Sequence, residues 1–227
     1  MNRLIILCLF AVMFGATIAF PMEDISKDEA IEAISQRELE VPVKKSVAGT
    51  VIKGAGLNAK ILDKLLTEIG GYMREIAIGV DNESGGKWTA KNVYFFSGTS
   101  HAHLPETVPN TKAFLYNARM NSGLVFSGAI GVLTYGLRDG NTLAVLFSVP
   151  YNYLLHSNWW NVKVYSGNKP ADYNMFYDLY YYAKPFKGDD GWHERSLGYG
   201  LKMKGIMNSA GHAKLQIRVS CVSCYNY

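Results

Sequence analysis

The sequence predicts a mainly β protein: a single β-sandwich flanked by two α-helices, with an N-terminal amphipathic segment. Short runs of β-branched and aromatic residues recur along the chain and are separated by turn sequences, which is typical of a sandwich. Two other stretches repeat their apolar residues every three or four positions, which predicts helices. No internal repeat or linker divides these elements, and residues 46–227 suffice for one domain with a sizeable core.

Residues 1–19 have the pattern of a secretory signal peptide, in which Arg3 precedes a short apolar stretch and small residues precede the expected cut. Residues 20–45 are acidic and end in Lys44-Lys45, a pattern typical of a propeptide with a dibasic processing site. We therefore predict a secreted chain whose mature domain is the remainder. The alternative is an N-terminal extension that is never removed.

The predicted domain is basic. Residues 46–227 keep 18 of the 23 basic and 12 of the 19 acidic residues, a net charge near +6. This charge favours approach to anionic surfaces, but it is scattered, so nucleic acid is not expected as a partner. No nucleophile elbow, phosphate loop or metal-ligand spacing is present, and neither enzymatic activity nor a cofactor or metal is expected. Cys221 and Cys224 are expected to form a local disulfide or an intermolecular bridge.

The first predicted element is an amphipathic stretch, residues 46–69, which we call the N-terminal segment. Its apolar residues fall mostly three or four apart, charged residues occupy the other side, and Gly70-Gly71 ends it. Three glycines weaken its first half as a helix, so only residues 58–69 are expected to be helical in water, with Asn58 as the N-cap. The first half is expected to become helical where lipid receives its apolar face.

After this segment the pattern changes to strands. Each predicted strand is rich in β-branched and aromatic residues. Turn sequences such as residues 81–86 and 138–141 separate them. The predicted strands are residues 73–80, 88–97, 113–120, 129–137, 142–149, 160–165, 198–204 and 213–220.

The second predicted helix, residues 170–183, lies in an unusually aromatic window. Between Tyr151 and Tyr182, 11 of 32 residues are aromatic, against 13% in the whole chain. Those between Tyr173 and Tyr181 repeat at the spacing of one helix face. Tyr and Trp combine an apolar body with a polar tip, so they suit a water–lipid boundary and can hold a quaternary ammonium. The window predicts a membrane-surface function; the alternative is an aromatic core.

Several long motifs carry a resemblance to one family. They are residues 79–85 (Gly-Val-Asp-Asn-Glu-Ser-Gly), 139–151, 157–162, 191–193, 197–201 and 207–212. Through them, residues 46–220 resemble an actinoporin, a pore-forming cytolysin of the equinatoxin and sticholysin kind from sea anemones. The dibasic propeptide also fits this family.

The resemblance implies a secreted, non-enzymatic protein that is released from nematocysts and acts on a target cell membrane. It implies a monomer in solution that binds sphingomyelin-containing membranes, forms a homo-oligomer there and threads its N-terminal segment through the bilayer as a pore wall. The 24 residues of that segment would span roughly 36 Å as a helix, enough for a hydrocarbon core of about 30 Å.

Three sets of candidate site residues follow. The family's phosphocholine pocket carries over to Ser97, Ile130, Ser148, Pro150, Phe176, Tyr180 and Tyr181, for which ordinary core packing is the alternative. The membrane-binding loop is expected to use Tyr151, Tyr153, Leu155, His156, Trp159 and Trp160. The pore-lining face is expected to carry Lys53, Lys60, Asp63, Lys64, Thr67 and Glu68.

The chain departs from the family pattern at the loop and beside the pocket. Leu154-Leu155-His156 stands where the family has Asn-Trp-Tyr, and Phe96 stands where it has an arginine. A weaker preference for sphingomyelin than the family shows is therefore expected. Two other classes remain: a non-lytic lipid- or glycan-binding module, since fungal lectins share this sandwich, and a lipid hydrolase. The amphipathic segment argues against the first, and the lack of a nucleophile and base argues against the second.

Overall fold

A computed structural model describes residues 46–123 and 126–222 of the chain. The predicted signal peptide and propeptide lie outside these residues. Two six-stranded sheets pack face to face, and a short helix lies on the outer face of each. The predicted fold class, a mainly β sandwich flanked by two helices, is confirmed.

The strands belong to two sheets with the orders β1-β5-β2-β12-β11-β10 and β4-β3-β6-β7-β8-β9, called here the first and the second sheet. Neighbours run antiparallel except β2 and β12, which are parallel. The strands are β1 (Val51–Lys53), β2 (Glu75–Glu83), β3 (Trp88–Ser97), β4 (Thr107–Val108), β5 (Lys112–Arg119), β6 (Ala129–Gly136), β7 (Thr142–Val149), β8 (Trp159–Tyr165), β9 (Phe186–Lys187), β10 (Trp192–Gly198), β11 (Leu201–Met207) and β12 (His212–Cys221).

The main core lies between the two sheets and contains several large aromatic side chains. Tyr135 packs against Phe114 and Trp88, with ring centroids 4.8 and 6.2 Å away. Trp160 of the second sheet reaches across to Gly205 of the first, where a Cβ would lie 2.6 Å from the indole. Only glycine leaves room for this contact, which sets how closely the two sheets approach here.

Helix α1 (Ala59–Ile69) lies on the first sheet and begins and ends as predicted. The Asn58 side chain accepts a hydrogen bond from the Ile61 N–H at 3.2 Å, and Gly70 adopts the left-handed conformation with φ 104°. These are the usual caps of an α-helix. Leu62 and Leu65 are buried against β2 and β5, which fixes the helix to the outer face of the sheet.

Helix α2 (Tyr173–Tyr177) lies on the second sheet and continues as a π-helical turn, Asp178–Tyr182. The predicted helix 170–183 is therefore shorter at both ends and is α-helical only in its first half. The wide turn leaves the carbonyls of Leu179 and Ala183 free to accept hydrogen bonds from the buried Asn161 amide, both at 3.0 Å. The Asn161 side chain, on β8, thus supplies hydrogen bonds to carbonyls that the π-helical geometry leaves available.

Three differences from the predicted strands have local causes. Strands β4, β9 and β10 are absent from the predicted set. Strands β4 and β9 have two residues each, too few to show the alternation of a strand. Strand β10 carries charged residues, which are typical of an edge strand. Strand β11 begins at Leu201, not at 198, because Gly198, Tyr199 and Gly200 all have positive φ and form a turn.

The first half of the N-terminal segment is more ordered than predicted. Residues Val51–Lys53 pair with β5, and Gly54–Gly56 form a single 3₁₀ turn before α1. The sequence suggested a loose stretch because its glycines disfavour a helix, but they do not prevent an edge strand. Within the described parts of the chain, no helix is both long and apolar enough to cross a bilayer.

Candidate functional site

Helix α2 and its π-helical turn present a row of tyrosines to solvent. Asp172 caps the helix by accepting from the Met175 N–H at 2.7 Å. Met175, Phe176 and Leu179 are buried against Val132, Ala144 and Leu146 of the second sheet. We call the rings left exposed beside this buried layer the aromatic surface: Tyr173, Tyr177, Tyr181 and Tyr182, together with Phe96 of β3.

The rings of the aromatic surface contact one another and the residues beneath them. Phe96 stacks on Phe176 with centroids 4.6 Å apart and planes 13° apart. Phe176 contacts Tyr180 at 5.5 Å, Tyr180 contacts Tyr181 at 4.8 Å, and Tyr181 contacts Tyr177 at 4.7 Å. A continuous aromatic path therefore runs from β3 to the end of the π-helical turn, and it holds the ring faces in fixed positions.

The predicted pocket residues on the strands form one row across the second sheet. Ser97 is paired with Ile130, and Ile130 with Ser148, on three adjacent strands. Trp159 follows as the partner of Ser148 on β8. Neighbours in register point to the same face, and Ile130 packs on the same cluster as Tyr180. The structure thus brings the serines beside the aromatic surface.

The two serines of this row have different surroundings. The Ser97 hydroxyl lies 3.2 Å from that of Ser127 and accepts from the Gly128 N–H at 3.1 Å. Ser148 is fully buried, and its hydroxyl makes no hydrogen bond of ordinary geometry among the described residues. Burial raises the pKa of Tyr180, Tyr181 raises it further, and the nearby Ser148 opposes the shift.

The loop after β7 is braced by Arg74 and ends in an exposed apolar tip. The Arg74 guanidinium donates to the carbonyls of Pro150 and Tyr151 at 2.9 and 2.7 Å and lies over the Tyr153 ring, 4.6 Å from its centroid. Pro150 is buried, whereas Leu154 and Leu155 are 95% and 75% exposed. A tip of this kind is free to enter a lipid interface.

Phe126 belongs to the same apolar surface, although the sequence analysis did not identify it. It is 82% exposed and meets Tyr151 edge to face, with centroids 5.3 Å apart. A phenylalanine in a short connection between two strands was the signal available in the sequence. We call Phe126, Tyr151, Leu154 and Leu155 the loop patch.

The remaining predicted loop residues divide into three groups. His156 is exposed and Trp159 is partly exposed. The Tyr153 hydroxyl donates to Asn158 Oδ1 at 2.7 Å, so this side chain braces the loop. Trp160 is 0% exposed, and its assignment to the membrane-binding loop is wrong. Adjacent residues of a strand point to opposite faces, so only one of the two tryptophans can face outward.

The predicted pore-lining residues lie on the outer side of the N-terminal segment. Lys53, Lys60, Asp63, Lys64 and Thr67 are exposed, and Glu68 is half-buried. The Asp63 carboxylate accepts from Lys214 of β12 at 2.9 Å. The structure describes the segment docked on the sandwich, so a pore-lining role for these side chains stays a prediction.

The docked segment covers a buried carboxylate. A Cβ at Gly54 would lie 2.1 Å from Asp81 Oδ1, and a Cβ at Gly79 would lie 2.3 Å from Leu57. Asp81 is 1% exposed, and in the part of the chain that the structure describes only its Oδ2 has a hydrogen-bond partner, Arg218 at 3.2 Å. Burial raises the pKa of Asp81, Glu83 raises it further, and Arg218 opposes the shift. The close packing of Gly54 on Asp81 therefore has an electrostatic cost, because it keeps an incompletely paired carboxylate out of water.

Comparison with known proteins shows strong similarity to toxins of sea anemones. Residues 46–221 match the family described as sea anemone cytotoxic protein. The chain is 63% identical to DELTA-actitoxin-Ucs1a of Urticina crassicornis over 223 residues, 97% of this chain and 99% of the relative. It is 60% identical to deep-sea actinoporin Cjtox I of Cribrinopsis japonica with the same coverage.

Among solved structures, the fold is similar to that of the lipid-binding protein Nakanori. The TM-score is 0.59 over 88% of this chain and 90% of that protein. The two sequences are only 18% identical, so this likeness concerns the fold alone.

Proposed function

The chain belongs to the sea anemone cytotoxic proteins, the actinoporins, and is a secreted pore-forming cytolysin, not an enzyme; from this premise we propose that it recognises phosphocholine head groups. The observation that supports this choice is the row Ser97–Ile130–Ser148 beside Tyr180 and Tyr181. Tyrosine faces attract a trimethylammonium group, and serine hydroxyls can donate to a phosphate.

Ser148 offers the most specific support for a ligand at this row. Buried hydroxyls are rarely left without a hydrogen bond, and this one lies in the row between Ile130 and Trp159, close to Tyr180. A phosphate oxygen near the row would accept its proton. Phe96 stands where the family has an arginine. Its aromatic face adds a contact with the choline methyl groups, and the missing guanidinium removes a contact with the phosphate. The choline group therefore contributes a larger share of the binding free energy.

The loop patch would supply the apolar part of membrane binding. Phe126, Leu154 and Leu155 project from two loops that adjoin the serine row. Phe126 lies two residues before Gly128, whose N–H donates to the Ser97 hydroxyl. Leu154 and Leu155 lie in the loop that begins at Pro150, two residues after Ser148. Transfer of exposed leucine and phenylalanine side chains out of water is favourable by about 1.5 to 3 kcal/mol each. Head group and hydrocarbon would therefore be engaged by one continuous surface.

The later steps complete the proposal. A monomer in solution binds the membrane, where sphingomyelin is the expected phosphocholine lipid, and forms a homo-oligomer. The N-terminal segment then leaves β5 and crosses the bilayer as a helix. Residues 1–19 and 20–45 act as signal peptide and propeptide, and the family match from Ser46 onward supports this division. Storage in nematocysts before release is part of the same proposal.

A matched pair of tyrosine variants tests head-group recognition. Tyr181 and Tyr199 are 60% and 54% exposed, but only Tyr181 belongs to the aromatic surface. Tyr181→Ala should weaken binding to vesicles containing phosphatidylcholine and sphingomyelin by about 2- to 30-fold, the value of one cation–π contact. Binding to choline-free anionic vesicles should change little, and Tyr199→Ala should change neither.

Flotation with both vesicle types measures these affinities. An equal loss on choline-free and choline-containing vesicles would show that Tyr181 contributes only apolar contact area. That result would contradict phosphocholine recognition while leaving membrane binding intact.

A further inference from the structure

Glu68, near the end of α1, holds the start of the N-terminal segment. Its Oε2 accepts hydrogen bonds from the Val47 N–H at 2.8 Å and from the Ser46 hydroxyl at 3.1 Å. Its Oε1 is buried and has no hydrogen-bond partner among the described residues. One carboxylate oxygen is therefore satisfied by the segment, and the other, which is buried, is not.

The position of Glu68 makes the unsatisfied oxygen costly. Glu68 is the last residue but one of α1, and the helix has no basic residue in its last turn. The C-terminal end of a helix carries partial negative charge, which repels a carboxylate. Among the described residues Glu68 forms no ion pair, so the side chain lacks the cation that its surroundings call for.

The other charged groups near Glu68 do not fill this role. The cleft of about 550 Å³ beside it is also lined by His101, His103, Glu106 and Arg119. The Arg119 guanidinium is engaged elsewhere, because it donates to the Met120 carbonyl at 3.2 Å and contacts the His101 ring at 2.6 Å. Glu106 adds a further negative charge to the cleft, which increases the need for a cation.

We infer that Glu68 is the receiving site for the α-ammonium group that cleavage after Lys45 creates on Ser46. Hydrolysis breaks the C–N bond between Lys45 and Ser46. Water gives a hydroxyl to the Lys45 carbonyl carbon, which becomes a carboxyl group, and a hydrogen to the Ser46 nitrogen, which then takes up a proton from solvent. That nitrogen lies within about 4 Å of the Val47 nitrogen by covalent geometry alone. Because Ser46 and Val47 already contact Oε2, the new cation arises next to the Glu68 carboxylate.

The ion pair would act as a latch on the part of the chain that must later move. Gly49 donates to the Leu115 carbonyl at 2.9 Å, Leu115 donates to Thr50 at 3.0 Å, and Gly54 donates to Thr111 at 3.0 Å. These bonds continue the ladder between the segment and β5, and they must break before insertion. The inference rests on the proposed processing at Lys44-Lys45 and adds that processing locks the released protein in its soluble form.

Hydrogen exchange of the secreted chain, uncleaved and after cleavage behind Lys45, tests the latch without any membrane. Cleavage should slow exchange of the Gly49 and Gly54 amides by about 2- to 5-fold, as expected for one partly screened ion pair. In Glu68→Gln the same cleavage should change exchange by less than about 1.5-fold. Glu106→Gln removes a carboxylate from the same cleft and should behave as the native chain.

A second variant guards against failure of Glu68→Gln to fold. An alanine inserted between Lys45 and Ser46 moves the cleaved ammonium about 3.5 Å further along the chain and leaves Glu68 in place. The inserted chain should lose the gain in protection. The inference is overturned if Glu68→Gln or the insertion gains as much protection as the native chain, if cleavage gives no gain, or if Glu106→Gln loses it equally.

Mass spectrometry of the N-terminus of the natural protein addresses the processing separately. A first residue other than Ser46 would end the inference and leave the phosphocholine proposal unaffected.

Discussion

The aromatic surface is fixed to the second sheet through a buried layer of Met175, Phe176 and Leu179, whereas the first half of the N-terminal segment is held to the first sheet by a strand of three residues. The carbonyls of the π-helical turn are tied to Asn161 in the sandwich. The segment, by contrast, presses Gly54 against the buried Asp81 carboxylate, whose Oδ1 has no hydrogen-bond partner within residues 46–123 and 126–222.

The difference supports the proposal that the aromatic surface is preformed and that the N-terminal segment detaches. The exposed rings of the aromatic surface are already held in place for contact with a head group. Departure of the segment would return water to Asp81 and offset part of the docking free energy that is lost, since burying a charge without full pairing is costly. The aromatic surface is thus braced by the sheet, and the N-terminal segment is docked with a built-in cost.

A tether between the segment and β5 tests this contrast with the largest expected effect. Lys53 and Lys112 are paired across β1 and β5, next to the hydrogen-bonded pair of Gly54 and Thr111. A non-hydrogen-bonded antiparallel pair has its Cα atoms about 4.5 Å apart, within the range of a disulfide. The oxidised variant Lys53→Cys/Lys112→Cys should bind vesicles normally and release no calcein.

Reduction of that variant on the vesicles should restore leakage. The single variants Lys53→Cys and Lys112→Cys, and the native protein treated with the same reductant, serve as controls. Leakage by the fully oxidised tether would contradict detachment of the segment from β5.

Charge placed in the loop patch should weaken membrane binding strongly while leaving the fold unchanged. The side chains of Leu154 and Leu155 are 95% and 75% exposed, so a polar replacement costs little packing. Leu155→Asp should lower the vesicle affinity about tenfold or more, since an apolar side chain would no longer leave water. Val222→Asp, at an apolar side chain 63% exposed elsewhere on the protein, is the control. Equal effects in sedimentation with vesicles would argue against a dedicated patch.

The sequence predicted the elements whose signals are local. Helix α1 was predicted with both ends, because Asn58 and Gly70 act within one turn of the helix that they cap. The row of pocket serines came from the family resemblance, and their pairing through Ile130 depends on register across three strands. No spacing within one strand could have given that arrangement.

The errors arose where distant parts of the chain meet. The prediction places Trp160 in the membrane-binding loop together with Trp159, but strand alternation sends it into the core against Gly205. The glycines of the N-terminal segment predict a loose first half, and its pairing with β5, about 60 residues away in the sequence, leaves no local signal. The contact of Gly54 with Asp81 depends on that docking and could not be foreseen.

Substitution of Gly54 tests the contact between the N-terminal segment and Asp81 Oδ1. An alanine Cβ would overlap Asp81 Oδ1, so Gly54→Ala should weaken docking of the segment by about 1 to 3 kcal/mol, the usual cost of overpacking. Gly56→Ala is the matched control, because its Cβ would meet only the Ile52 Cδ1 atom at 4.0 Å. Both changes raise helix propensity by about the same 1 kcal/mol, so the comparison isolates the clash.

Exchange of the Leu57 amide and the rate of calcein release measure the effect. Both should rise about fivefold or more in Gly54→Ala relative to Gly56→Ala. Equal rates in the two variants would show that the contact with Asp81 does not limit release of the segment.

The charges of the segment should set a smaller property, the ion preference of the pore. The segment has three basic and two acidic residues, so its net charge is +1. They are Lys53, Lys60 and Lys64, and Asp63 and Glu68. In the docked state Lys214 of β12 neutralises Asp63. That partner belongs to the sheet, so Asp63 is freed on insertion and the balance of the segment alone becomes relevant.

Several copies of a +1 helix around one lumen multiply the sign of its charge, and rings of like charge set the preference of narrow pores. We therefore expect weak cation selectivity or a mild anion preference, measured as the reversal potential of a planar bilayer under a salt gradient. Lys53→Asp together with Lys60→Asp should move the reversal potential toward cations. Lys87→Asp with Lys202→Asp makes the same charge change on exposed sites of the sandwich and should move it much less. Lipid head groups that mask the lysines would make the native pore strongly cation-selective, and that result would contradict the expectation.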